Sequence, residues 1–149
     1  MRKAVLVLSS AVVLGGGAMT SSALGARPAA SAATTGPAVM VQVKSLTKTL
    51  LQSTQAHGSK GWITKGKTPV GKCSAASAAG ALNNATHGKW TATYFSSVGG
   101  IFIDSILGVK PPSETDFWEI LVNGRPASVG ACQIKLKAGE KLLFKIAKG

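Results

Sequence analysis

Two histidines, two cysteines, five acidic residues and a scatter of serines are the groups in this 149-residue chain able to act chemically. His57 stands in a glycine-rich stretch and His87 follows an alanine-rich one. No Gly-x-Ser-x-Gly elbow is present, so an activated serine is not expected. Asp116 and Glu119 invite comparison with the paired carboxylates of glycosidases, but at that spacing on a strand they point to opposite faces. Cys73 and Cys132 are widely separated and lack a nearby histidine, which makes a poor zinc set. No glycine-rich phosphate loop is present. The chain is therefore expected to bind rather than catalyse, with no catalytic residue and no metal ligand. What remains is the state of the two cysteines: a thiol nucleophile, or a bond between them.

The N-terminus bears on that choice. Arg2 and Lys3 precede an apolar run, Ala4 to Leu14, broken only by Ser9 and Ser10 and closed by Gly15, Gly16 and Gly17. This is the layout of a secretory signal peptide, too short for a membrane-spanning anchor. Residues 1–26 are assigned to it. Cleavage falls between residues 23 and 33, because Ala23-Leu24-Gly25 and Ala30-Ser31-Ala32 both offer small residues on either side of a central one. Residues 27–38 are rich in Ala, Ser, Thr and Pro and read as a flexible leader; 39–149 form one domain of roughly 110 residues, a common single-domain size. No second apolar run is long enough to cross a membrane. An exported chain with two cysteines points to a Cys73–Cys132 disulfide. Closing a loop of about 60 residues, such a bond is worth about 4 kcal/mol in the chain-entropy account. The product is expected outside the cell, as a monomer.

The formal net charge is +12, and +10 once Arg2 and Lys3 are removed with the signal. A basic surface favours anionic partners such as cell-wall polymers. The lysines are dispersed, and no aromatic residues interleave them, so nucleic acid is not expected. The densest basic feature is Lys135, Lys137, Lys141 and Lys145, which alternate with apolar residues and are expected on the solvent face of a final hairpin.

The elements that must position these groups follow from periodicity. Val39, Val41 and Val43 alternate with Met40, Gln42 and Lys44 as a half-buried strand, with Thr47 to Thr54 as its partner. A glycine-rich loop follows, with a short strand expected around Trp62 to Lys65. "SAASAAGALNNAT", residues 74–86, predicts the one helix, with Ser74 as N-cap, Ala75, Ala78, Ala79 and Leu82 on one face, and Gly88 as the stop. Strands are expected at Trp90 to Phe95, Gly100 to Leu107 and Phe117 to Val122. Asn123-Gly124 then predicts a type I′ hairpin turn. Ile134 and Leu136, then Leu142, Phe144 and Ile146, predict a last pair of strands. Most aromatic side chains are expected in the core. Phe117 and Trp118 are adjacent and must face opposite ways, so an exposed Trp118 would be a binding candidate.

The order "CSAASAAGALNNATHGKW", "GIFIDSILGV", "FWEILVNGRPASVGACQIKLKAGEKLLF" resembles the transcobalamin-like C-terminal domain family, found in many secreted bacterial proteins and related to the β-domain of vertebrate cobalamin carriers. The resemblance covers about residues 39 to 147. Its most specific parts are Trp118, Val122-Asn123-Gly124, Ala127-Ser128 and Gly130, and Gly139-Glu140, where the family usually carries Gly-Asp. It implies an α+β, β-grasp-like fold: a mixed sheet with one helix packed on one face, here with one disulfide. It also implies a binding or interaction module whose ligand is an unidentified small molecule or extracellular protein. In the carriers this domain closes over cobalamin held against a helical barrel, and this chain has no such barrel. Corrinoid binding is therefore expected to be weak, with Trp118 and Asn123 as the first contact residues. The other expectation is electrostatic association with anionic envelope polymers.

Overall fold

The computed structural model describes residues 36–149. The expected signal peptide (1–26) and almost all of the expected leader (27–38) lie outside the described residues. The strand expected from the valine alternation is β1 (Ala38–Lys44), with Val39, Val41 and Val43 buried. It pairs antiparallel with β2 (Thr49–His57), and the register slips at Val43. Further on come α1 (Ala78–Ala85), the single α-helix among the described residues, a hairpin of β3 (Trp90–Phe95) and β4 (Gly100–Ile106), then β5 (Phe117–Val122), the two-residue β6 (Arg125–Pro126) and β7 (Lys141–Ala147). The main sheet runs β2-β1-β7-β5-β6, and β3-β4 is a separate two-stranded sheet. β7 lies parallel to β1 and antiparallel to β5. A leading hairpin, a helix and a closing strand parallel to the first make this the β-grasp arrangement, with the β3-β4 hairpin as an addition.

Register sorts the side chains. Val41 lies opposite Leu142 and Val43 opposite Phe144; on the other side Trp118 meets Ile146 and Ile120 meets Phe144. All of these are buried, so one face of the sheet is the floor of the core. α1 packs on this floor, chiefly against β1 and β2. The helix is not one-sided as its alanine pattern predicts. Ala78, Ala79, Gly80, Ala81, Leu82 and Ala85 are all buried, and only Asn83 and Asn84 retain exposure.

The helix begins three residues later than expected, with its N-cap at Ser77 instead of Ser74. Ser74 does not cap it; its Oγ accepts the Ala76 amide at 3.1 Å. Ser77 takes the N-cap position without a capping bond, and its Oγ donates to the Ser74 carbonyl at 2.6 Å. The open amides are met from far along the chain. Ala78 N–H donates to the Ile134 carbonyl at 3.0 Å, and Ala79 N–H to the Ala131 carbonyl at 3.1 Å. The C-terminus closes as a Schellman motif: Gly88 N–H donates to the Asn83 carbonyl and His87 N–H to that of Asn84. His87, at φ +51°, fills the left-handed position usually given to glycine.

Two expected strands do not form. Around Trp62 there is one bridge, Trp62 to Ser74, followed by a 3-10 turn at Lys65–Lys67. Ile134 and Leu136 are buried, but their segment makes only the bridge Ser77–Lys135. The reason is topological: β1 and β5 already occupy both edges of β7, so residues 134–137 cannot pair with it as a hairpin. The segment instead crosses the start of α1 and buries it. The expected Cys73–Cys132 disulfide is present, with Cα atoms 4.8 Å apart. It fastens this covering segment to the approach of α1, rather than joining helix to sheet.

Two outcomes follow. Cys132→Ser, measured by denaturant unfolding, should lower stability by about 2–4 kcal/mol, and intact mass of the native protein should show no free thiol. Gly80→Ala tests the packing of the helix. In an open helix it would add up to about 1 kcal/mol of propensity. Here the Ala75 carbonyl occupies the place of the new Cβ. The variant is therefore expected to lose about 1–3 kcal/mol, the range for overpacking.

Candidate functional site

The β3-β4 hairpin is anchored at its base and free at its tip. At the base Trp90 is buried, and its Nε1 donates to Asn83 Oδ1 at 3.0 Å. Lys65 Nζ lies 5.2 Å from the centre of the Trp90 ring and donates to the Gly88 carbonyl at 2.8 Å. Gly66, at φ +61°, lets the 3-10 turn run against the backbone of Ala92, where a Cβ would collide with the carbonyl. Ile103 and Ile106 are buried. Toward the tip the same strands carry apolar side chains that nothing covers: Phe95 is 47% exposed, Val98 75% and Phe102 49%. From the other side comes the loop after β6, bringing Val129, 50% exposed. These four meet around a recess of about 340 Å³ that also touches Gly100, Ile101, Gly130 and Gln133, with no charged residue in its wall.

A second cavity, of about 230 Å³, continues from it. It shares Ile101, Phe102, Val129 and Gly130 with the first and extends to Phe117–Ile120, Ala127 and Ala131. Trp118 is in its wall. Trp118 is 6% exposed, so the condition for reading it as an exposed binding residue is not met: the face of β5 that carries it is the core face. Its Nε1 has no hydrogen-bond partner, and it is the only buried side-chain nitrogen or oxygen in that state among the described residues.

Asn123, the other expected contact, is not in either wall. It sits at φ +52° with Gly124 at +82°, the expected type I′ turn. Its side-chain Oδ1 accepts the Lys141 amide at 2.9 Å, and its own amide donates to the Lys141 carbonyl at 2.8 Å. The turn is thereby tied to β7, and Asn123 is occupied structurally. The four lysines do not share a hairpin face, because that hairpin does not form. Lys135 and Lys137 are exposed on the covering segment over α1. Lys141 and Lys145 alternate with buried Leu142, Phe144 and Ile146, so they lie on the opposite, uncovered face of the sheet. Lys145 is paired there with Glu119 at 3.0 Å. Glu140 has a local role: its Oε2 accepts the Lys137 amide at 2.9 Å in the turn before β7.

His57 Nδ1 contacts the Gly36 carbonyl at 3.1 Å, and His87 ends the helix; neither lines the recess. Among the described residues no three His, Cys, Asp or Glu side chains come together as a metal site, and no helix is long and apolar enough to cross a membrane. The expectation that most aromatics are core holds for Trp90, Trp118 and Phe144, while Trp62, Phe95 and Phe102 are exposed. Phe95, Val98, Phe102 and Val129 were not foreseen. The available signal was the unbroken apolar run Ile101-Phe102-Ile103, which on a strand must put apolar groups on both faces.

Among solved structures the chain is similar to haptocorrin, crystallised in complex with Cbi, with TM-score 0.54 and 21% identity over 75% of this chain. The match spans 25% of the haptocorrin chain, so this protein corresponds to about a quarter of its length. A protein from Ruminococcus gnavus ATCC 29149, crystallised as a suspected metal-binding protein, aligns over 76% of this chain and 98% of its own with TM-score 0.49 and 14% identity. At these identities the likeness is one of fold. No curated protein matches the chain. The family described as Domain of unknown function (DUF4430) matches residues 74–148, half of the sequence, running from the residue after Cys73 through β7. The chain belongs to this DUF4430 family.

Proposed function

We propose that the protein is a secreted, non-enzymatic binding module and that its ligand seats on the groove between the β3-β4 hairpin and the 127–131 loop. The observation that carries this reading is the gathering of Phe95, Val98, Phe102 and Val129, exposed together over a recess without charge. Scattered apolar residues are ordinary on a surface, but a contiguous apolar patch over a concavity is the usual form of a recognition site. The disulfide suits an oxidising, extracellular setting.

Haptocorrin's structure holds Cbi, which makes a corrinoid the first ligand to try. The recess, about 340 Å³ and open to solvent, covers only part of a molecule of that size, and buried area with few anchors does not give tight binding. Titration calorimetry with cyano- and aquocobalamin is expected to give a dissociation constant no tighter than roughly micromolar, about −8 kcal/mol. Phe102→Ala should weaken binding at least about fivefold, as loss of an interface anchor does, while leaving stability nearly unchanged because the ring is half exposed. Nanomolar affinity would refute the small open groove as the whole site. Binding indifferent to Phe102→Ala would place the ligand elsewhere.

Electrostatic association with envelope polymers is a second reading, favoured by one observation. Among the described residues a single ion pair, Lys145–Glu119, occupies a lysine, so most of the positive charge has no internal partner. Retention on purified cell wall should fall steeply toward 1 M salt, where the Debye length is about 3 Å. Unchanged retention there would end this reading.

A further inference from the structure

The positive charge is not spread evenly along the chain. Residues 36–103 hold seven lysines and no carboxylate, while residues 104–149 hold seven basic side chains against five acidic ones. Four of the first seven, Lys60, Lys65, Lys67 and Lys72, fall in the loop between β2 and α1. That loop is closed at its neck: Ile63 N–H donates to the Cys73 carbonyl at 2.8 Å, Trp62 bridges to Ser74, and Cys73 is held by its disulfide. Its interior is fixed as well, with Thr68 buried, Gly66 against the Ala92 backbone and Lys65 Nζ on the Gly88 carbonyl. At the tip Lys72 N–H donates to the Pro69 carbonyl at 3.2 Å across a tight turn, with Gly71 at φ +89°. This turn holds Val70 out into solvent, 72% exposed, and at the neck Trp62 is 50% exposed while the adjoining Ile63 and Cys73 are buried. Val70 is three residues from the neck, so chain length keeps it within about 20 Å of Trp62.

Lys60, Lys67, Lys72 and Lys89 are exposed, and Lys89 shares with Lys65 the wall of one recess, which brings it beside the loop. None of them is in an ion pair; among the described residues the one ion pair is Lys145–Glu119. Asp104, the carboxylate on the adjoining β3-β4 hairpin, accepts the Thr93 hydroxyl at 2.9 Å. A rigid loop thus presents several unpaired ammonium groups together with an exposed valine at its tip and an exposed indole at its neck. We propose that this loop is the contact by which the protein docks on an anionic phospholipid bilayer, lying on the surface without spanning it. The lysines meet the headgroup phosphates, each worth about fivefold in affinity near such a surface. Val70 and the Trp62 ring enter the interfacial layer, where an amphipathic indole is at home. Charge alone would suit any polyanion, but a valine held out on a turn serves a partner with an apolar layer under its charge. A nucleic acid would call for several stacking rings, and the loop has one. Because the loop is already ordered, little conformational freedom is lost on docking. The contact is independent of the groove proposed above, whose wall carries no charged residue.

The test is cosedimentation of the mature protein with vesicles. Phosphatidylglycerol and phosphatidylcholine in equal parts should bind it at least about tenfold more tightly than phosphatidylcholine alone. The difference should fade toward 1 M salt, where the Debye length is about 3 Å. The double variant Lys60→Gln/Lys72→Gln should weaken binding to the mixed vesicles at least about fivefold. Val70→Ser, at a position too exposed to disturb the core, should weaken it about two- to fivefold, as loss of a small buried apolar group does. Bromine-labelled lipid should quench tryptophan fluorescence in the wild type and not in Trp62→Phe, since Trp90 and Trp118 are buried. Phe102→Ala, in the groove, should bind vesicles as the wild type does. Equal binding to both kinds of vesicle, or binding indifferent to the lysine and Val70 variants, would overturn the proposal. Salt-sensitive binding without quenching would reduce the contact to charge alone, leaving the envelope-polymer reading in place and removing the bilayer. Purified cell wall that holds the protein more tightly than the mixed vesicles do, with the same loss in the lysine variant, would make the polymer the partner of this loop. If Phe102→Ala alone abolishes vesicle binding, the contact is the groove and the loop proposal fails.

Discussion

The start of α1 is satisfied by main chain from the other end of the sequence, and much of the molecule depends on that junction. Two amides of the first turn donate to the carbonyls of Ala131 and Ile134. Cys132 lies between those acceptors and is bonded to Cys73, just ahead of the helix. Without this junction the helix would begin with free donors, a serine cap that makes no capping bond and alanine side chains too small to bury much area. With it, the covering segment closes the core on the side away from the sheet, and Ile134 and Leu136 become interior residues. The helix is short, glycine-containing and nearly surrounded. Its stability comes from what encloses it rather than from its own propensity.

The same junction shapes the binding groove. Val129, Gly130 and Ala131 lead directly into Cys132 and form one bank of the recess. The opposite bank is the β3-β4 hairpin, an addition to the β-grasp core, held at its base by Trp90, Lys65 and Gly66. Each bank is thus fastened on the core side and open on the solvent side. Such a groove is fixed in width by the parts of the fold that are hardest to move.

Much of this architecture was legible in the sequence, and the gaps have physical causes. Val39, Val41 and Val43 announced a strand with one buried face, Asn123-Gly124 a tight turn, and the two cysteines their own bond. The alternation of Ile134 and Leu136 with lysines was read as a strand because burial on one side produces the same pattern with or without a ladder. Only the occupancy of both edges of β7 distinguishes the two, and that is a property of the whole sheet. The helix start was placed at Ser74 instead of Ser77 because its real acceptors lie more than fifty residues away. Trp118 was singled out on the condition that it were exposed, and it is buried because the β5 face that carries it is the core face. The apolar tip residues escaped notice because each looks like a core residue on its own, and only the separation of β3-β4 from the main sheet leaves them uncovered.

The two margins of the main sheet are unlike each other. One is β6, two residues long, carrying Arg125 and Pro126, short and chemically unsuited to accepting another strand. The other is β2, nine residues without a charge or a proline. A sheet with one receptive margin and one blocked margin can pair with its like only once: the receptive sides meet about a twofold axis, and the blocked sides face outward. Sheet extension in this fold therefore terminates at a pair instead of propagating into a fibre.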